Sequence, residues 1–383
     1  MNKVFAGSVE EGQVVSPVVD SRADMAVFES KLKEYKSAID ADIAGYCKQV
    51  QKRTLQDFGA NSREAVDAYT AILGRGGKRI RGALTMLGYE MSGGTDHAMI
   101  LQAARAIEMI HAYILIIDDI NDRSLVRRGG PSAHIILADY HRAHNLSDDS
   151  QHFGESIAMN AALIGNHAAQ MLIANLDGDP QLKLNALSVL NRSMVVTAHG
   201  QFNDMFNEVS ADVSQRDVDR VLEWKTAHYT FLNPLHFGMI LAGADCHATD
   251  AITTYAMRAG RAFQISDDIV GTFGQEFESG KSPLDDIREG KRTLLSVYAL
   301  EHTTNGNHNF LIQMLGNHKL TQSEFARCKA ILVESGALDY AKSAAAKHVE
   351  VAVQSLKNQQ DLWSSEGIQF LTGLAEYLLV RHS

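Results

Sequence analysis

From Asp24 onward apolar residues recur every three or four positions, beginning with Met25, Phe28, Leu32, Tyr35, Ile39, Ile43 and Tyr46, the period of a helix with one buried face. Similar periodicity fills most of the chain, and only five prolines interrupt its 383 residues. Those at 131, 180, 234 and 283 fall at or near breaks between helical runs, where a residue without an amide hydrogen does least harm. Strand-like alternation is scarce. The pattern predicts an all-α bundle of many helices, with the less regular stretches at 74–77, 123–132, 145–152, 177–180 and 271–290. No composition shift or fixed-period repeat divides the chain. Residues 23–383 therefore read as one large helical domain, preceded by a flexible arm over residues 1–22. Further on, TTNGNHN reads as a loop ending before Phe310, and Thr321 with Glu324 as a capping box opening a helix through Leu332. LSDDSQ at Leu146 reads as a surface excursion whose aspartates are solvated.

Composition narrows the function classes. A net charge of −10 disfavours a broad nucleic-acid surface, so local basic clusters stand out. Cys47, Cys246 and Cys328 are far apart and lack ligand spacing, so neither zinc nor a disulfide framework is expected. No continuous apolar run approaches the ~18 residues of a membrane span, and the N-terminus lacks a signal-peptide pattern. The expected location is the cytoplasm.

Chemistry concentrates in three stretches. GRGGKRIRG, Gly74 to Gly82, places Lys78, Arg79 and Arg81 on a helix start, where glycines free the backbone and the dipole favours an anion. Its spacing is not that of a Walker loop. EMIHAYILIIDDINDRSLVRRGGPSAH, Glu108 to His134, ends an apolar helix in Asp118, Asp119 and Asp122 and follows them with Arg127 and Arg128. Residues four apart on a helix lie about 40° apart around its axis, so Asp118 and Asp122 share a face. Oxygen ligands on one face suit a hard cation such as Mg2+, which takes one or two carboxylates plus substrate phosphates. His111, two turns before Asp118, lies on that face too. RAFQISDDIVGTFGQEFESGK, Arg261 to Lys281, repeats the design with Gln264, Asp267 and Asp268, and Lys281, Lys291 and Arg292 follow. Two carboxylate-bearing helices ringed by basic residues would hold a diphosphate through bridging cations. HGQFND, His199 to Asp204, and WKTAHY, Trp224 to Tyr229, read as ordinary helix surface when taken alone, although the latter offers Lys225 and Thr226.

In order from Gly74 to about Leu295, the blocks GGKRIR, IHAYILIIDDINDRSLVRRGGPSAH, GQFND, KT, FQISDD and GKSPLDDIREGKRT resemble the trans-isoprenyl diphosphate synthases. These enzymes elongate allylic diphosphates with isopentenyl diphosphate. The resemblance implies a helical bundle around a deep central cavity, a homodimer and three Mg2+ ions. Asp118 and Asp122 would bind metal with Asp119 and Asp268 in support, and Asp267 would bind the third ion. Arg127, Lys225, Thr226, Gln264 and Lys281 would hold the allylic diphosphate and its developing cation, and Lys291 would also bind substrate. Lys78, Arg81, His111 and Arg128 would hold isopentenyl diphosphate. The chain departs from the family pattern at Gly271, where many members carry a third aspartate, and at Gly82, Ile117 and Asn166.

A growing prenyl chain should run beside the helix carrying Asp118, so bulk about one turn earlier would stop it. Tyr113 and the medium-sized Ile114 stand there. The expected product is therefore the twenty-carbon geranylgeranyl diphosphate, with fifteen-carbon farnesyl diphosphate as the alternative. A class I terpene cyclase would leave GGKRIR, His111 and Arg128 without a role. A non-catalytic partner subunit should have lost the carboxylates.

Overall fold

A computed structural model describes residues 21–274 and 282–380. Within them run α1 (Ser21–Phe58), α2 (Ala60–Gly74), α3 (Ile80–Met91), α4 (His97–Asn121), the hairpin β1 (Val126–Arg127) and β2 (Gly130–Pro131), α5 (Ala133–Ala143), α6 (Ser150–Ala174) and α7 (Pro180–Val209). Then come α8 (Gln215–Val221), a π-helical stretch Leu222–Leu232, α9 (Asn233–Leu241), α10 (Cys246–Phe273), α11 (Asp285–Glu289), α12 (Leu294–His302), α13 (Asn305–Met314), α14 (Gln322–Glu334), α15 (Ala337–Ser355) and α16 (Ser365–Val380). The fold class is all-α, as the periodicity predicts.

Three expectations change. The arm over residues 1–22 lies, as far as residue 20, outside the described residues, and Ser21 and Arg22 already belong to α1. The loop expected at TTNGNHN is largely helix, because α13 begins at Asn305; its glycine falls in the first turn, where weak helix propensity costs least. Two helices, α4 and α6, are long and apolar enough to cross a membrane by length and composition, with mean hydropathies of 1.5 and 1.2 over an 18-residue window. A search for unbroken apolar runs misses them because scattered polar residues interrupt each run. In α4 most of that window, 61%, is buried inside the bundle. The capping box at Thr321 does form, with Thr321 N–H donating to Glu324 Oε2 at 2.9 Å and Glu324 N–H to Thr321 Oγ1 at 3.3 Å. Asp149, within LSDDSQ, caps α6 by accepting from Gln151 N–H at 2.8 Å.

The centre of the bundle is α4. Asp96 opens it by accepting from Met99 N–H at 2.9 Å, and Ile100, Ile107, Ile110 and Ile116 are buried along it, each contributing about 1.5–3 kcal/mol of hydrophobic stabilisation. It packs against α3 and α6. Close helix crossings rest on glycine. A Cβ on Gly238 of α9 would lie 2.1 Å from the Thr85 carbonyl of α3, and one on Gly200 of α7 would lie 2.3 Å from Lys225 N in the π-helical stretch. Two hydrophobic cores result, and α10 lines both: Ile252, Tyr255 and Ala259 face the first, Ile265 and Ile269 the second.

Candidate active site

The carboxylates of α4 sit where helix electrostatics disfavours them. Asp118 and Asp119 occupy the last turn and Asp122 is the C-cap, at the negative end of the dipole. A left-handed Arg123, φ 52°, terminates the helix; its N–H donates to Ile120 O at 3.3 Å and that of Ser124 to Asp119 O at 2.8 Å, the double bond of a Schellman end. Cations from three other segments offset the concentrated negative charge. Arg127 Nε donates to the fully buried Asp119 at 2.7 Å, and Nη2 lies 3.4 Å from Asp118. Lys225 Nζ is 3.4 Å from Asp118 and 2.6 Å from Asp204. Lys291 Nζ is 3.3 Å from Asp122, 3.8 Å from Asp204, 3.2 Å from Glu208 and 3.4 Å from Glu289.

Asp204 is thus central rather than ordinary helix surface, and Glu208 and Glu289 were not foreseen at all. Burial opposes the charge of Asp204, but Lys225 and Lys291 outweigh it and hold the carboxyl below its usual range. Burial likewise opposes the charge of Lys225, and Asp204 with Asp118 outweighs it in the other direction.

On the facing helix α10, Thr226 Oγ1 donates to Gln264 Oε1 at 2.6 Å, and Gln264 Nε2 to Asp268 Oδ1 at 2.8 Å. Burial, and then the neighbouring Asp286, push the Asp268 carboxyl well above the usual range. Asp267 lies beside it on the cavity wall. Lys281, assigned to the allylic diphosphate, lies outside the described residues.

The basic side of the site joins two loops through glycines. Arg128, φ 52°, and Gly129, φ 71°, turn the hairpin, whose register pairs Val126 with Pro131 and Arg127 with Gly130. Both central residues have positive φ, as the tight two-residue turn requires. A Cβ on Gly77 would lie 2.9 Å from Arg128 Cζ, and one on Gly130 2.7 Å from Arg75 Cζ. Arg75 Nη1 donates to Pro131 O at 2.5 Å and Arg127 O at 3.3 Å. Each loop therefore lodges an arginine over the other's glycine. At Gly77 the missing side chain admits a guanidinium, whereas the sequence pattern suggested close backbone approach to an anion.

Behind this pair, Arg81 Nη1 lies 3.3 Å from His111 Nε2, Nη2 donates to Thr230 Oγ1 at 2.6 Å, and the guanidinium stacks 4.5 Å from the Tyr229 ring centre. Burial, then Arg81 and Arg128, hold His111 well below its ordinary pKa, so the ring is neutral and accepts at Nε2. Its proton then sits on Nδ1, which is buried without a hydrogen-bond partner, as is Arg81 Nε. Buried donors in that condition mark a place for an acceptor. Burial and the neighbouring arginines lower Arg128 to about 10. Lys78 is exposed, 5.7 Å from the Tyr377 ring of α16, so the C-terminal helix also reaches the rim.

Lys78, Arg81, His111, Asp118, Asp122, Arg127, Arg128, Asp204, Lys225, Thr226, Gln264, Asp267, Asp268 and Lys291 line one cavity of about 1270 Å³. Below the carboxylates its wall is mainly apolar, with Tyr113, Ile114, Ile117 and Met194, and it extends to the amides Asn166 and Gln170. The donors for a metal are all carboxylate oxygens on two helices. Among the described residues no group of three or more His, Cys, Asp or Glu is arranged to hold a metal ion by itself; Mg2+ typically takes one or two carboxylates plus substrate phosphates.

A family model described as polyprenyl synthetase matches residues 63–332. The geranylgeranyl diphosphate synthase of Saccharolobus solfataricus is 31% identical over 298 residues, which cover 78% of this chain and 85% of the relative. The geranylfarnesyl diphosphate synthase of Aeropyrum pernix is 31% identical over 310 residues, covering 80% and 91%. The solved geranylgeranyl pyrophosphate synthase of Corynebacterium glutamicum, complexed with isoprenyl diphosphate and magnesium, superposes with a TM-score of 0.82 at 29% identity, covering 91% of this chain and 99% of that one.

Proposed function

The chain belongs to the polyprenyl synthetase family and is a trans-prenyltransferase, and we propose that it condenses isopentenyl diphosphate with an allylic diphosphate to give mainly geranylgeranyl diphosphate. The carrying observation is that two carboxylate motifs, a guanidinium cluster and an apolar tunnel share one cavity. A terpene cyclase binds one diphosphate and would leave the cluster of Arg81, His111 and Arg128 idle.

In this reading Asp118, Asp122 and Asp267 hold Mg2+, three ions on the family's pattern, with Asp119 and Asp268 in support. Bound there, the metal supplies Lewis-acid charge to the leaving diphosphate. Lys225, Arg127 and Lys291 surround the same diphosphate, and preorganised charge in a water-poor site stabilises the charge that develops as the C–O bond breaks. Thr226 and Gln264 face the allylic cation. Lys78, Arg81, Arg128 and the Nδ1–H of His111 hold isopentenyl diphosphate with its double bond facing that cation. The proton lost after C–C bond formation goes to the departing diphosphate, so no side-chain base is assigned. Tyr113 and Ile114 set the product length.

A homodimer over α6 and α7 completes the reading. Leu163, Ile164 and Met171 on α6 and Val195, Phe202 and Phe206 on α7 are exposed, an apolar surface of the kind a second copy covers. Residues 23–383 read as one domain, as the sequence suggests. The three free cysteines support a reducing compartment, the cytoplasm.

The test is chromatography of products from purified protein, Mg2+, labelled isopentenyl diphosphate and each of dimethylallyl, geranyl and farnesyl diphosphate. A dominant twenty-carbon product is expected. No condensation with any primer would sink the catalytic assignment, and a dominant fifteen- or twenty-five-carbon product would sink the length assignment.

A further inference from the structure

The second aspartate motif reads DDIVG, with Gly271 at the position where a third carboxylate is common. Its backbone gives no reason for glycine. It lies inside α10 and is not among the residues of positive φ, and a glycine in a helix costs about 0.5–1 kcal/mol relative to alanine. The reason is in the packing. A Cβ at 271 would lie 2.7 Å from Asp286 Oδ2, closer than side chains approach one another. The space over Gly271 is filled by a carboxylate from another segment.

That segment is firmly placed. Gly290, φ 80°, closes α11, and the Lys291 N–H donates to the Asp286 carbonyl at 2.9 Å. A Cβ on Gly290 would meet the Gly316 amide at 3.2 Å and the Glu208 carbonyl at 3.3 Å, so the turn is packed on both sides. It sends Lys291 to Asp122 at 3.3 Å and Asp286 to the face of α10, where Asp286, Gly271, Asp267 and Asp268 line the same cavity.

Resting on the prenyltransferase reading above, we propose that Asp286 is the third carboxylate of the second motif, delivered by α11 rather than by α10, and that it helps hold the divalent cation assigned to Asp267. The sequence position and the spatial position of that carboxylate have separated. Glycine at 271 follows, because an aspartate there and Asp286 would compete for one volume and repel.

Titration calorimetry of Mg2+ into protein saturated with an unreactive thiolodiphosphate analogue of the allylic substrate tests this. Asp286→Asn, nearly isosteric, should weaken Mg2+ binding about tenfold or more, the usual cost of losing an outer partner of a metal ligand. Gly271→Asp alone should lower the thermal midpoint. Gly271→Asp combined with Asp286→Ala should recover most of the lost Mg2+ affinity by returning the carboxylate to α10. Unchanged Mg2+ affinity in Asp286→Asn, or a loss that the double variant does not recover, overturns the proposal. The wild-type condensation assay separates this failure from failure of the functional reading.

Discussion

Arg79 Nη1 lies 3.1 Å from Glu108 Oε2, and each side chain is 1% exposed. The same guanidinium donates to Asp40 Oδ1 at 2.8 Å and to the Leu73 carbonyl at 2.8 Å, while Glu108 Oε1 accepts from the Gly82 N–H at 2.9 Å. One arginine of the basic turn therefore faces inward and fixes the backbone from which Lys78 and Arg81 reach the cavity. It does so in a left-handed conformation, φ 54°, at the N-cap of α3.

Removing Glu108 takes from that buried charge its fully buried carboxylate partner and leaves it only the partly exposed Asp40. Glu108→Ala is expected to cost about 3–5 kcal/mol of folding stability, measured by urea denaturation. A loss below about 1 kcal/mol, the value of an exposed pair, would show that the pair does not anchor the turn.

The two carboxylate motifs should act on the reaction rather than on the fold. Asp118→Asn and Asp267→Asn are each expected to lower kcat by about 10²–10³, the range for removing a preorganised electrostatic contact. Circular dichroism should show the helices intact. Wild-type turnover in Asp267→Asn would remove the second motif from the metal assignment.

Gly200 lets α7 approach Lys225 at backbone distance. Gly200→Ala should cost about 1–3 kcal/mol through overpacking and should reduce kcat more than it raises KM, because the displaced residue faces the leaving diphosphate. Gly45→Ala, inside α1 with open space around it, is the control and should leave kcat and KM unchanged while raising stability by about 0.5–1 kcal/mol.

His348 supplies a pH dependence away from the site. Burial, then Arg261 and Arg258, push it from 6.5 down to about 4. Between those values the unfolded chain binds a proton that the folded chain does not, so stability is full above about pH 6.5 and is lost as pH falls towards 4. His348 is partly solvated, so the loss is smaller than the whole shift implies. Thermal midpoints measured from pH 7 to pH 4 should fall more steeply for wild type than for His348→Gln; parallel curves would contradict the assignment.

Tyr113→Ala should lengthen the product by at least one isoprene unit, read by chromatography. If the length stays the same, the floor lies elsewhere, and Asn166 and Gln170, which line the same cavity from α6, become the residues to change.

The fold and the motif residues were legible because their signals are local: a 3.6-residue period, and carboxylates placed at the unfavourable end of an apolar helix. What stayed hidden depends on pairing across the chain. Asp204 lies on an unremarkable stretch of α7, and its partner Lys291 is far away in sequence, so only folding brings them to 3.8 Å. Arg79 is indistinguishable in sequence from Lys78 and Arg81, and which one turns inward depends on Glu108. Gly77 and Gly130 are visible as glycines, but the arginines they accommodate belong to each other's loop.

The π-helical stretch Leu222–Leu232 bears on the relation between the two substrates. Lys225 and Thr226 reach the side assigned to the leaving group, at Asp204 and Gln264, while Tyr229 and Thr230 brace Arg81 on the side assigned to the acceptor. This widened stretch is thus the spacer between donor and acceptor. A single-residue deletion that restored ordinary winding would leave the two ends close to their present phase, because the widened winding takes up the extra residue, but would remove one of the side chains that this span presents. Selection on this segment would then act on its residue count as well as on its side chains.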